Sequence, residues 1–135
     1  SGVKKYIDRT LEFTKKEGYC ETLFGRRRYI PELRSENYQL RSAAERMAIN
    51  HPIQGTAADL MKLGMIEVYN RLQATSYKLQ AKLILQVHDE IVLEVKKELA
   101  EEVSKLLKET LEGVAKLRVP IIVHVGEGKN WGETK

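Results

Sequence analysis

Gln86-Val87-His88-Asp89-Glu90 sets an imidazole and two carboxylates on consecutive residues, between the apolar runs Leu83-Ile84-Leu85 and Ile91-Val92-Leu93. Two β-branched, apolar runs parted by three polar residues predict two strands and a tight turn. Turn chemistry alone favours Asn-Gly or Asp-Gly at such a tip, so His-Asp-Glu looks like a functional choice. The flanks are apolar at nearly every position instead of alternating, and the hairpin is therefore expected to be covered on both faces, with its tip at a partly buried edge. A carboxylate there needs a cation, and Mg²⁺ is commonly held by one or two carboxylates together with substrate phosphates. Asp89, with Glu90 beside it, is a candidate metal ligand. A solvated turn whose side chains only cap the backbone fits the tripeptide taken alone equally well.

The elements that must position this tip follow from periodicity. Val3, Ile7 and Leu11 recur at helical spacing up to Glu17, and Gly18 stops the helix after Lys15 and Lys16, cations of the sign its C-terminus prefers. Tyr19 to Phe24, Gly25, and Arg26 to Ile30 read as a second hairpin, a basic one. At most two of Arg26, Arg27 and Arg28 share a strand face; phosphate contact and charge protection of an exposed strand edge are the two readings of the run. A polar helix over Glu36 to Ala48 is expected to end or bend at Pro52. Beyond it Ile53, Ala57, Leu60, Met61, Gly64, Met65, Val68, Tyr69 and Leu72 form an apolar stripe read as core. Arg46, Asn50 and Gln54 recur every four residues and fall on one side of a helix that stays continuous past Pro52. All three donate hydrogen bonds, and the minor groove offers acceptors on every base pair; a solvated helix face is the alternative. After the central hairpin come an amphipathic helix from about Glu98 to Glu112, a short strand Ile121 to Val125, and a loop closed by Trp131. His124 reads as an ordinary strand residue. The order implies an α+β fold: a small, mainly antiparallel sheet with helices packed on it.

Bulk properties agree with one domain. The chain has 135 residues, 42% hydrophobic and 31% charged, and no apolar run long enough to span a membrane. Neither a membrane partner nor a secretory signal is expected, and Ser1-Gly2 reads as an expression remnant of a longer natural chain. One cysteine, Cys20, excludes an internal disulfide and a cysteine-based zinc site. The net charge of +4 sits wholly in residues 1–51, which hold 11 Lys and Arg against 7 Asp and Glu. That asymmetry points to a polyanion partner near the first third of the chain.

Four stretches together resemble the family A DNA polymerases, of the bacterial DNA polymerase I type. They are Gly18-Tyr19-Cys20-Glu21-Thr22-Leu23-Phe24-Gly25-Arg26-Arg27-Arg28-Tyr29-Ile30-Pro31, Ala44-Glu45-Arg46-Met47-Ala48-Ile49-Asn50, Pro52-Ile53-Gln54-Gly55-Thr56-Ala57-Ala58-Asp59, and Gln86-Val87-His88-Asp89-Glu90. The resemblance implies a template-directed DNA polymerase of replication and repair, cytoplasmic and nucleoid-associated, acting on primer-template DNA and dNTP. It implies that residues 1–50 end the fingers and residues 51–135 form the later part of the palm, the rest of the chain supplying an upstream palm strand, a fingers helix and the thumb. It further implies that Asp89 binds the catalytic Mg²⁺, that Glu90 supports that site and that His88 approaches the primer terminus. Arg46, Asn50 and Gln54 resemble the family's primer-template contacts. The family's second aspartate, in a motif like Asp-Tyr-Ser-Gln-Ile-Glu, is absent: the aspartates are Asp8, Asp59 and Asp89. The isolated chain is therefore expected not to polymerise, and a non-catalytic primer-template-binding module is its alternative description. The palm of a single-subunit RNA polymerase is a second alternative, which resembles His-Asp-Ser where this chain has Glu90. A metal phosphohydrolase is disfavoured because His51 and His124 show no ligand spacing.

Overall fold

A computed structural model describes residues 2–75 and 80–134. The chain forms two compact units, Ser1–Asp59 and Leu60–Lys135. The α+β expectation holds: among the described residues, helices pack on two small antiparallel sheets of two strands each.

In the first unit α1 (Gly2–Glu17) ends where the sequence says it should. Gly18 takes φ +82°, open to glycine at little cost, and its N–H donates to the Thr14 carbonyl. β1 (Tyr19–Glu21) then pairs with β2 (Arg27–Tyr29), Cys20 facing Arg28 and Glu21 facing Arg27. A 3₁₀ turn at Pro31–Arg34 leads to α2 (Tyr38–Ala74). Asn37 caps that helix, its Oδ1 accepting from the N–H groups of Gln39 and Leu40. Cys20, Ile30, Leu33, Ala44 and Ala48 make the core, with Leu11 of α1 against it.

α2 narrows one expectation and corrects another. It runs through Pro52 without ending there: a proline removes one N–H, while the turns on either side keep their own bonds. The supposed core stripe is also split. Ala44, Ala48, Gly55 and Asp59 are the buried positions of its first part, whereas Gly64, Val68 and Leu72 are buried further on. The interval from Asp59 to Gly64 is five residues, about 500° at 3.6 residues per turn, so the line of buried positions jumps to a different face. Ile53, assigned to the core stripe, is 60% exposed, and Ala57 is exposed too.

In the second unit Val68, Leu72, Ala81 and Val103 form the core. Around it pack Ile91, Leu93 and Val95 of β4 (Glu90–Val95) and Leu106, Leu107 and Leu111 of α3 (Ala100–Glu112). Gly64 admits close approach of α3: a Cβ there would stand 2.6 Å from Leu111 Cδ2. Glu101 and Glu102 occupy the first turn of α3, the end a helix dipole makes favourable for carboxylates.

The strand expected at Ile121–Val125 does not form. A strand exists only with a hydrogen-bonded neighbour. Here the backbone is instead held by side chains: Glu112 accepts from the Val123 N–H at 3.1 Å, and Ser104 donates to Glu127 at 2.7 Å. His124 is exposed and lies in no strand.

Candidate active site and nucleic-acid face

β3 (Ala81–Val87) pairs with β4 in antiparallel register, Val87 opposite Glu90, which leaves His88 and Asp89 as a two-residue turn. His88 sits at φ +51°, the left-handed region that non-glycine residues seldom adopt. Gln86 Nε2 steadies the turn by donating to the His88 carbonyl at 2.6 Å. Glu90 belongs to the strand, not to the turn.

A register shift between Leu83 and Leu85 makes Ile84 an extra residue in β3. Such a bulge changes which residues face which side, and this accounts for the unbroken Leu83-Ile84-Leu85 run without burial on both faces. One face packs on the core through Ile91, Leu93 and Val95. The other, expected to be covered, is open in this chain: Ile84 is 57% and Leu85 41% exposed. His88, Asp89 and Glu90 are all exposed as well, so the tip lies in solvent and not at a partly buried edge. Asp89 is open to water there, and desolvation does not force a cation on it.

Among the described residues no group of three or more metal-ligating side chains forms. Asp89 fits one oxygen ligand of a hard cation that takes its other ligands from substrate and water. Asp59 is engaged elsewhere, and Asp8 lies in α1 of the other unit.

The second candidate site lies in the first unit. Arg46, Asn50 and Gln54 are exposed along α2, and successive four-residue steps turn by only about 40°, which keeps all three on one side. Arg46 Nη1 bonds to Ser42 Oγ at 3.0 Å. Met47 and Ile53 are exposed beside them.

The three arginines part company. Arg27 lies over the Tyr19 ring, 4.5 Å from its centroid, and pairs with Glu21 at 3.5 Å. Tyr19 in turn meets Phe13 and Tyr29, each with ring centroids 5.6 Å away. Arg26 turns towards α2, its Nε donating to Asp59 Oδ1 at 2.7 Å and its Nη2 to the Gly55 carbonyl at 3.0 Å. Arg28 is exposed and has no carboxylate partner among the described residues. His51 sits near Arg26 and Arg28. Burial, then those two guanidinium groups, hold its pKa below the usual histidine range, against the Arg26 carbonyl and Asp59. Its Nε2 is buried without a hydrogen-bond partner among the described residues.

Sequence reasoning missed Asp59 and His51. Asp59 falls one turn beyond Gly55 on the same side of α2, and that spacing to the basic hairpin's partner glycine was the available signal.

The model of DNA polymerase family A matches residues 1–133. The chain belongs to that family. Family A relatives include the thermostable DNA polymerase I of Thermus aquaticus, 53% identical over 133 residues, covering 98% of this chain and 16% of that protein. The DNA polymerase I of Deinococcus radiodurans is 49% identical over 134 residues, covering 99% of this chain and 14% of its own length. Among solved structures, the POL domain of Pol1 from M. smegmatis in complex with DNA primer-template and dNTP aligns with TM-score 0.93 and 42% identity over 98% of this chain and 23% of that one. The chain thus spans about a sixth of the length of the curated relatives named here. Among the described residues no helix is long and apolar enough to cross a membrane.

Proposed function

We propose that this chain is a fingers-end and palm segment of a template-directed DNA polymerase, which extends a primer from dNTP in replication and repair in the cytoplasm, at the nucleoid. Residues 1–50 then close the fingers and residues 51–135 belong to the palm. The observation that carries the reading is Asp89 at the tip of a two-residue turn in a chain of this family.

Asp89 is the residue that would hold Mg²⁺, with Glu90 at the start of β4 in support. Mg²⁺ held there would supply charge stabilisation at the α-phosphate while the primer 3′-hydroxyl attacks and pyrophosphate leaves. His88, held at the tip by its turn, lies next to the primer terminus. Arg46, Asn50 and Gln54 donate to minor-groove acceptors present on every pair, contacts that read base-pair shape and not sequence. Arg28 contacts backbone phosphate, and Arg27, exposed on the other face of β2, is a second phosphate contact. The unpaired edges of the two-stranded β3–β4 sheet leave room for the upstream palm strand that brings the second carboxylate.

Primer extension with Mg²⁺ tests this reading, run with the segment alone and with the full-length polymerase that contains it. Incorporation by the full-length protein, lost in Asp89→Ala, and none by the segment alone is the expected result. A full-length protein whose extension survives Asp89→Ala would remove the hairpin tip from the reaction.

A further inference from the structure

The first unit contains an anchor that the polymerase reading does not use. The loop joining β1 to β2 is tied to α2 at three points, the last of them braced within the helix. Arg26 donates twice, to Asp59 Oδ1 and the Gly55 carbonyl; Leu23 N–H donates to Thr56 Oγ1 at 2.9 Å; and Thr56 Oγ1 donates in turn to the Pro52 carbonyl. Within the loop Thr22 Oγ1 accepts from Arg26 N–H at 3.1 Å, and Thr22 N–H donates to the Arg26 carbonyl at 3.0 Å. The approach is close enough to require glycine at position 55, where a Cβ would lie 2.7 Å from Thr22 Cγ2. The Asp59 side chain is 11% exposed and that of Arg26 44%, so the pairing is a charge-assisted bond whose carboxylate end is poorly solvated.

Gly55, Thr56 and Asp59 thus face the hairpin, while Gln54, Asn50 and Arg46 lie along the opposite side of the same helix. We infer that the Arg26–Asp59 pair positions Arg28 for its phosphate, holding the hairpin at a fixed offset from the Arg46, Asn50 and Gln54 row so that both engage one duplex together. Arg26 is then a positioning residue, withdrawn from DNA. The inference rests on the DNA contacts proposed above for Arg28 and the α2 row.

The test is primer-template affinity of the full-length polymerase as a function of salt. Arg28→Ala removes one phosphate contact and should weaken binding about tenfold, the size of one charged hydrogen bond. It should also make the slope of log K against log salt shallower by about 0.9. If Arg26–Asp59 acts through Arg28, Asp59→Asn reproduces both changes, and adding it to Arg28→Ala weakens binding no further. Arg26→Lys, which keeps the charge but not the two-pronged geometry, should shift the slope the same way by less, and it carries the test if Asp59→Asn fails to fold. A lowered Tm with an unchanged slope in these variants overturns the inference and leaves a merely structural anchor. So does a steeper slope, which would mean that Arg26, once released, itself binds phosphate. If Arg28→Ala leaves the slope unmoved, the hairpin contact is wrong and the positioning role falls with it.

Discussion

Replacing Gly55 by alanine sets two effects of similar size against each other, and the structure decides the sign. In a helix interior alanine is favoured over glycine by about 1 kcal/mol. The new Cβ would stand 2.7 Å from Thr22 Cγ2, 3.2 Å from Arg26 Nη2 and 3.3 Å from His51 Cε1. Thr22 is 4% exposed, and rotating its methyl group away moves the Oγ1 that accepts from Arg26 N–H. Moving Arg26 Nη2 instead loosens its bond to the Gly55 carbonyl. With neither neighbour free to yield, overpacking of this kind costs about 1–3 kcal/mol, and the net expectation is a loss of about 1 kcal/mol. Amide hydrogen exchange at Leu23 and Arg26 in the full-length polymerase reads this locally, as a fall in the free energy of opening. Thr22→Ser keeps Oγ1 and deletes Cγ2, so Gly55→Ala combined with Thr22→Ser should recover most of the loss. Exchange unchanged by Gly55→Ala, or a double variant no better than the single one, refutes the crowding argument.

Three further expectations follow from the same geometry. At φ +51°, His88→Gly should leave the β3–β4 hairpin at least as stable by amide exchange while primer extension drops, and His88→Val should open it more easily by about 1–2 kcal/mol. His51 has its pKa lowered in the folded state, so the unfolded chain takes up a proton first as pH falls. Stability of the first unit should therefore decline from about pH 6.5 down to the lowered folded value, a loss smaller in His51→Gln and readable in the acid limb of a Tm-against-pH curve. Leu72→Ala, in the core of the second unit, should destabilise it by about 2–5 kcal/mol, seen as faster exchange of the β4 amides; a change within error would place Leu72 outside the core.

Local chemistry made much of this chain legible from its sequence. Gly18 after two lysines ends α1, and apolar runs around three polar residues give a hairpin with Asp89 in its turn. The four-residue recurrence of Arg46, Asn50 and Gln54 marks one side of α2. These features depend on neighbours within a turn or two, and such neighbours are written in order along the chain. What tertiary structure decided depends on groups far apart in sequence. Arg26 and Asp59 are 33 positions apart, and only packing of the hairpin on Gly55 turns one of three similar arginines onto a buried carboxylate. Which side of α2 is buried changes after Asp59 because each part of the helix meets a different core, so a stripe read by periodicity ran on into the exposed Ile53. The apolar run at Ile84 reflected a bulge as well as burial, and Ile121–Val125, strand-like in composition, found no strand to pair with. Composition states what a segment is able to pair with, whereas the partner itself is supplied by the fold.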